Sequence, residues 1–135
     1  MIVDTSALLA YFDTNEPDHD AVSRAINGHD DPLVLSPYVV AELDYVVATR
    51  IGVDGELAVV KELSGGAWEL AGFARTDLEQ AVSVIKKYRD QRVGLADASN
   101  VVLAERYQTR TIATLDRRHF EVLRPLRGGR FAIVP

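Results

Sequence analysis

Short apolar runs alternate with longer segments of helical periodicity along this chain. Compact apolar runs predict buried strands, and apolar positions spaced three or four residues apart predict helices. The predicted strands are residues 2–3, 33–35, 68–70, 111–115 and 131–134. The predicted helices are residues 6–12, 17–27, 37–51, 55–63, 76–88 and 95–107.

Start signals for helices support this division. Ser36 is a suitable N-cap before Pro37 at a first helical position, and the sequence TDLE at 76–79 fits a capping box. Strands that alternate with helices predict an α/β/α domain of three layers around a short-stranded, mostly parallel sheet. Because the chain has no repeat, low-complexity segment or obvious linker, residues 1–135 are predicted to form one domain.

The composition is that of an ordinary globular protein, with 47% hydrophobic and 26% charged residues. The absence of cysteine excludes disulfides and thiolate metal sites, and it is compatible with the cytoplasm as the expected location. A secretory signal is not expected, because the N-terminus lacks a basic segment and has Asp4 inside its only apolar stretch. No apolar run approaches the roughly 20 residues of a membrane span.

The formal net charge of −5 argues at first against a nucleic-acid partner, but the charges are unevenly distributed. Residues 1–105 contain 8 Lys and Arg against 18 Asp and Glu, whereas residues 106–135 contain 7 Arg against only Asp116 and Glu121. This basic end has two interpretations, an ordinary solvated surface or an edge that faces phosphates.

Four acidic residues stand out by their position: Asp4 and Asp116 at the ends of predicted strands, Asp97 in the first turn of a helix, and Glu42 on an apolar helix. Strand ends and the following helix starts share one edge of a parallel sheet, so these acids are expected to meet there. Each also has a structural interpretation, as a helix cap, a turn residue or the partner of an Arg. Asp44 meets the same criterion nearly as well as Glu42.

Four carboxylates gathered without cations repel each other and raise their pKa values. A hard divalent cation relieves that repulsion, and oxygen-only ligation without Cys suits Mg²⁺ or Mn²⁺. The grouping of the acids therefore predicts a divalent-metal site.

The residues around these acids resemble the PIN-domain ribonucleases, and specifically the VapC toxins of bacterial toxin–antitoxin pairs. The matching segments are IVDTSALLAYF, SPYVVAELDYVV, GLADASNVVLAERY and TIATLDRRHF. They occur in the family's order and spacing and span nearly the whole chain. The resemblance implies a toxin that inhibits translation as a Mg²⁺- or Mn²⁺-dependent endoribonuclease and hydrolyses structured RNA, either tRNA or ribosomal RNA.

The resemblance implies that the catalytic and metal-binding residues are Asp4, Glu42, Asp97 and Asp116, and so it selects Glu42 over Asp44. Thr5, Ser6 and Thr114 match small polar positions that are expected to orient carboxylates or water. With Asp4 on the metal, Thr5 or Ser6 is left to cap the first helix. Many relatives have a second acid where this chain has Arg118, so a second metal position is expected to be weak. Asp13 and Asp90 are candidate auxiliary acids, and neither is expected to be a direct ligand.

RNA phosphates are expected to contact Arg117 and Arg118, which directly follow a proposed ligand, and more weakly Arg92. Aromatic residues are few, so recognition by RNA shape is expected to outweigh base stacking. No pair of histidines suggests a metal-free mechanism. His119 is expected to cap or to pack rather than to contact the substrate.

The expected partners also follow from the resemblance. They are a VapB-type antitoxin, a second copy of the chain in a homodimer, and a larger complex with the antitoxin, with no membrane. The apolar helices between residues 37 and 63 are candidate surfaces for both contacts, although most of their apolar side chains are expected to be ordinary core. An Arg or Lys of the antitoxin could enter the acidic pocket.

Two other classes remain open from the residues. One is a different metal-dependent phosphate hydrolase, which would usually need a nucleophilic Asp motif that is not apparent. The other is a non-catalytic, receiver-like binding module, for which a phosphoacceptor Asp on a middle strand and a partner Lys are missing. A dinucleotide-binding domain is excluded, because no G-x-G-x-x-G sequence follows a strand.

Overall fold

The computed structural model describes all 135 residues, from Met1 to Pro135. The strands are β1 (Ile2–Val3), β2 (Val34–Leu35), β3 (Glu69–Leu70), β4 (Thr111–Ala113) and β5 (Ala132–Val134). The α-helices are α1 (Thr5–Phe12), α2 (His19–Asn27), α3 (Pro37–Arg50), α4 (Val53–Leu63), α5 (Arg75–Lys87), α6 (Leu95–Arg106) and α7 (Arg117–Val122). A short 3-10 helix covers Arg89–Gln91.

The sheet has the order β3-β2-β1-β4-β5, and every neighbouring pair is parallel. Successive side chains of a strand point to opposite faces of the sheet, and each face has its own core. Ile2 and Ile112 pack with helices α5 to α7, whereas Val3 and Ala113 pack with helices α1 to α4. The predicted three-layer α/β/α fold is therefore confirmed.

Strand β1 lies in the middle of the sheet, between β2 and β4. Ile2 pairs with Val34 on one side and with Ile112 on the other. The carboxyl ends of these central strands therefore lie side by side at one edge of the sheet, and the polar residues that follow them are brought close together.

One helix start agrees with its prediction and another does not. Ser36 caps α3, because its Oγ accepts a hydrogen bond from Tyr38 N at 3.2 Å. The predicted capping box at 76–79 is wrong, since α5 begins earlier, with Ala74 at the N-cap. Asp77 Oδ2 accepts a hydrogen bond from Ala74 N at 2.6 Å, and the Arg106 guanidinium pairs with the same carboxylate. The bond from Ala74 N to Asp77 satisfies one backbone donor at the start of the helix. It is only half of a capping box, because the Ala74 side chain has no acceptor for the other bond.

The region after β4 also differs from prediction. The predicted strand 111–115 ends at Ala113. Thr114 N still bonds to the main-chain oxygen of Val134 at 3.0 Å, but the two donors after it bond to hydroxyls: Leu115 N to Ser6 Oγ at 2.9 Å and Asp116 N to Thr114 Oγ1 at 3.0 Å. Helix α7 was not predicted, because it is only six residues long and begins with charged side chains. None of the helices has the length and apolar character needed to cross a bilayer.

Candidate metal centre

The four predicted acids line one cleft of about 370 Å³ at the carboxyl edge of the sheet. Asp4 directly follows β1, and Asp116 lies at the start of α7, three residues after β4. Asp97 lies in the first turn of α6, and Glu42 lies on α3 in the opposite wall. Residues separated by up to 112 positions in the chain thus meet where parallel α/β sheets commonly bind ligands.

Asp4 is the most buried of these acids, with a relative exposure of 6%. Its Oδ2 accepts hydrogen bonds from Ser6 Oγ and Thr114 Oγ1, both at 2.9 Å, and its Oδ1 accepts one from Asn100 Nδ2 at 3.1 Å. Burial raises the pKa of Asp4, the two hydroxyls lower it, and the charge of Asp97 raises it further. The carboxylate is therefore held in a fixed orientation at an electrostatic cost.

The hydroxyls beside Asp4 orient carboxylates instead of capping α1. Thr5 Oγ1 donates to Glu42 Oε2 at 2.5 Å, and Ser6 Oγ donates to Asp4 Oδ2. The expectation that Thr5 or Ser6 caps the first helix is wrong, because both lie inside the helix and their hydroxyls are engaged with the acids. Asp4 occupies the N-cap position, but its side chain makes no capping bond.

Asp97 has a structural bond as well as a place in the cleft. Its Oδ2 accepts a hydrogen bond from Gly94 N at 3.1 Å, which closes the start of α6. Burial raises the pKa of Asp97, and the charges of Asp116 and Glu42 raise it further, whereas the Gly94 N–H and His119 lower it. The negative charges of Asp116 and Glu42 thus raise the pKa of Asp97, as expected where carboxylates are clustered.

His119 is in the cleft, contrary to the expectation that it caps or packs. Its Nδ1 lies 3.2 Å from Asp97 Oδ2 and 3.5 Å from Asp116 Oδ2. His119 follows Asp116 by three positions, which is a helical spacing, but this spacing is informative only once the short helix α7 is known.

Asn100 was not recognised from the sequence. It is fully buried, its Nδ2 donates to Asp4, and its Oδ1 has no hydrogen-bond partner. The available signal was an amide in the apolar stretch of α6, spaced three residues from Asp97 and therefore on the same helical face.

The chemistry of these donors fits a hard divalent cation. The acids offer only carboxylate oxygens, which Mg²⁺ and Mn²⁺ prefer. Burial is the main cause of the raised pKa values of Asp4 and Asp97, and repulsion from neighbouring acids adds to it, so a cation would relieve part of this electrostatic cost. In their present positions no three Asp, Glu or His side chains converge on one point where they could hold an ion. Binding by three or more of these side chains therefore requires side-chain movement.

The arginines predicted to contact RNA do not line this cleft. Arg117 Nη2 donates to the main-chain oxygen of Pro135 at 2.5 Å. Arg118 has a side chain that is 86% exposed, with Nε 3.6 Å from Asp116 Oδ1. Arg92 is exposed and follows the 3-10 helix with a φ of 54°. Of the three, Arg118 contacts an acid of the site, and the contact of all three with RNA stays a prediction.

The auxiliary acids lie outside the cleft. Asp13 ends α1 and accepts hydrogen bonds from Asn15. Asp44 lines a separate cleft between α3 and α4, and Asp90 lies in the 3-10 helix. Of the two acids that helical periodicity left equivalent, only Glu42 thus faces the predicted site.

A comparison with protein families identifies the family of the chain. The PIN domain family matches residues 1–124 of the chain. The chain therefore belongs to the PIN-domain family.

Relatives within the family narrow the class. Ribonuclease VapC26 of Mycobacterium tuberculosis (strain ATCC 25618 / H37Rv) is 67% identical over 135 residues, which cover 100% of both chains. The chain is accordingly a ribonuclease of the VapC kind, as the sequence motifs predicted.

Solved structures show the same fold at low sequence identity. VapC20 of Mycobacterium tuberculosis, described as a sarcin–ricin loop cleaving toxin, superposes with a TM-score of 0.85 at 16% identity, covering 99% of this chain and 98% of that one. A toxin–antitoxin complex from Klebsiella pneumoniae has a TM-score of 0.73 at 15% identity, covering 99% of this chain and 95% of that one.

Proposed function

We propose that this ribonuclease is a toxin whose Asp4, Glu42, Asp97 and Asp116 hold a Mg²⁺ or Mn²⁺ ion and use it to hydrolyse structured RNA. The observation that carries this proposal is the meeting of these four acids, from four separate segments, around one cleft of about 370 Å³. Neither competing class accounts for the chain as well, because the nucleophilic Asp motif of a phosphatase is not apparent, and a receiver-like module would need a phosphoacceptor Asp on a middle strand with a partner Lys.

The side chains divide the work between binding and proton transfer. Asp4, Asp97 and Asp116 lie at the sheet edge, and the hydroxyls of Ser6 and Thr114 fix the orientation of the first of them. A bound divalent ion supplies positive charge that stabilises the phosphate in the transition state and makes water more acidic.

Glu42 is the best candidate to accept a proton from the attacking water. It is exposed to solvent on the opposite wall, and Thr5 orients its carboxylate through Oε2. A base within one hydrogen bond of the attacking water can take its proton in the transition state. In-line attack leaves a 5′-phosphate and a 3′-hydroxyl on the two RNA fragments.

The RNA itself is proposed to be folded, either tRNA or ribosomal RNA. The basic C-terminal segment, with Arg117 and Arg118, supplies charge for phosphates, and Arg92 adds to it from a neighbouring loop. The VapC20 structure is described as that of a toxin that cleaves the sarcin–ricin loop, which supports ribosomal RNA as one candidate substrate.

A VapB-type antitoxin and a second copy of the chain are proposed as protein partners, in the cytoplasm. A cleft of about 460 Å³ between α1, α3 and α4 is lined mainly by apolar side chains. Large apolar side chains stay exposed on α3 and α4 and in the turn between them: Tyr45, Ile51, Val53, Leu57 and Val60. Such surfaces commonly mark protein contacts, and the Klebsiella pneumoniae relative is described as a toxin–antitoxin complex.

The nuclease proposal is tested by incubating total RNA with the purified protein in Mg²⁺ or in EDTA and mapping the 5′ ends. Wild type is expected to produce discrete ends only with the metal, and Asp4→Asn is expected to produce none. Asp44→Asn removes the same charge from α3 outside the cleft and is expected to cut normally. Cleavage that survives EDTA, or equal cleavage by Asp4→Asn, would show that the mechanism is wrong.

A further inference from the structure

His119 contacts two of the proposed ligands but has no part in the proposed mechanism. Its Nδ1 faces Oδ2 of Asp97 at 3.2 Å and Oδ2 of Asp116 at 3.5 Å. Ionised carboxylates can only accept hydrogen bonds, so the ring nitrogen that faces both of them carries the hydrogen. That N–H lies between two negative groups that otherwise repel each other.

The fold fixes the ring in this place. Phe120 is 1% exposed and meets Phe131 edge to face, with ring centroids 5.9 Å apart. Leu123, just beyond the end of α7, is also fully buried. These two anchors set the rotation of α7, so that His119 lines the cleft while Arg118 projects into solvent.

The two acids reach the cleft from different parts of the fold. Asp97 belongs to α6, on one face of the sheet, and Asp116 follows β4 at its edge. Neither makes a hydrogen bond to the other. His119 is the side chain that lies within 4 Å of the carboxylates of both Asp97 and Asp116.

We infer that His119 is a positioning residue, whose Nδ1–H holds Asp97 and Asp116 at a separation that allows one divalent ion to bind both. This inference rests on the proposed metal site. Because Nδ1 carries a hydrogen, it has no free lone pair with which to bind a metal ion. His119 therefore acts on the ion through the two carboxylates, and Nδ1 is not itself a metal ligand.

The expected effect is on metal affinity. Hydrogen-bond partners that orient metal ligands typically contribute about 10- to 100-fold to affinity. His119→Ala removes the N–H and is expected to weaken Mn²⁺ binding by that range. His119→Asn places an amide nitrogen near the position of Nδ1 and is expected to keep affinity within a few-fold, whereas His119→Gln places it near Nε2 and is expected to bind as weakly as the Ala variant.

The experiment is a titration of the full-length protein with Mn²⁺ alone, by calorimetry or by electron paramagnetic resonance of the free ion, at one pH. The melting temperature of each variant in EDTA is measured alongside, so that a loss of folding is recognised. His29→Ala is the matched control, since His29 Nε2 lies 3.6 Å from Asp31 Oδ2 in a His–Asp contact far from the proposed ligands in sequence and outside the cleft.

The pair His119→Asn and His119→Gln decides the question even if His119→Ala fails to fold. Tighter Mn²⁺ binding by the Asn variant supports the inference, and equal affinities of the two overturn it. Wild-type affinity in a folded His119→Ala protein also overturns it while leaving the metal site intact. A wild-type protein that binds no Mn²⁺ overturns the proposed metal site, and the inference with it.

Discussion

Replacing Asp4 by Asn should separate the stability of the fold from the binding of metal. Asp4 is 6% exposed, and burial raises the pKa of its carboxyl group. A carboxyl group whose pKa is raised in the folded state stabilises the fold while it is protonated, and this stability is lost as the pH rises through the raised pKa. At neutral pH the ionised group therefore weakens the fold by about 1.4 kcal/mol for each unit by which its pKa is raised. In EDTA, Asp4→Asn is therefore expected to melt at a higher temperature than wild type.

The local geometry accepts the amide. The retained oxygen can still accept from Ser6 and Thr114 at the position of Oδ2. The new NH₂ group meets Asn100, whose Oδ1 is buried without a partner, so a rotation of that amide restores the hydrogen bond. The substitution changes charge with little change in shape, and a loss of folding is not expected.

The size of the metal response follows from linkage. An ion at 100 times its dissociation constant stabilises the folded state by about 2.7 kcal/mol. With roughly 2.1 cal/mol/K per residue, the 135 residues have an unfolding entropy of about 0.28 kcal/mol/K, so the melting temperature of wild type is expected to rise by about 10 °C. Asp4→Asn is expected to show little or none of this rise.

The assay is differential scanning calorimetry at pH 7, in EDTA and in a series of Mg²⁺ or Mn²⁺ concentrations. Asp44→Asn is the control, because it removes one negative charge outside the cleft and is expected to keep the full response. The reasoning is refuted if the melting temperature of Asp4→Asn rises with the ion as much as that of wild type. It is also refuted if wild type does not respond at saturating ion.

Three further predictions concern neighbouring contacts. Thr5→Val removes the hydroxyl that donates to Glu42 Oε2. In timed cleavage assays it is expected to lower the rate of RNA cleavage about 10- to 100-fold with an unchanged melting temperature, and an undiminished rate would contradict the role of Glu42. Phe120→Ala empties a fully buried ring position and is expected to cost about 3–5 kcal/mol in urea unfolding; a cost below about 1 kcal/mol would contradict the packing described for α7. The Arg106 guanidinium lowers the pKa of Asp77. The ionised Asp77 therefore stabilises the fold above the ordinary pKa of Asp, and this stability is lost as the pH falls through the lowered pKa. Asp77→Asn should weaken the loss of stability in acid, as measured by melting at a series of pH values, and an acid profile identical to that of wild type would contradict the contribution of the Asp77–Arg106 pair.

Much of the fold was predictable because the local signals agree with the long-range ones. Strand β2 is a compact apolar run, and Ser36 and Pro37 directly after it specify the start of α3. The end of β1 before Asp4 and the start of α6 before Asp97 were also located correctly, whereas the end of β4 before Asp116 was not. The sheet edge on which they meet follows from the parallel connection of strands through helices.

The remaining features depend on contacts that a linear pattern does not contain. The start of α5 is set by the pairing of Asp77 with Arg106, which is 29 residues away. The end of β4 is set by hydroxyls, including that of Ser6. The role of His119 requires the rotation of α7, which the packing of Phe120 fixes and which no periodicity over six residues can specify.

The central claim is that one divalent ion binds among the four acids of this cleft. The most direct measurement is anomalous diffraction from crystals equilibrated with Mn²⁺. We expect a peak in the cleft with carboxylate oxygens of Asp4, Asp97 and Asp116 at about 2.0–2.3 Å, or bridged through one water. A peak bound elsewhere, or none in the cleft at saturating Mn²⁺, would contradict the claim.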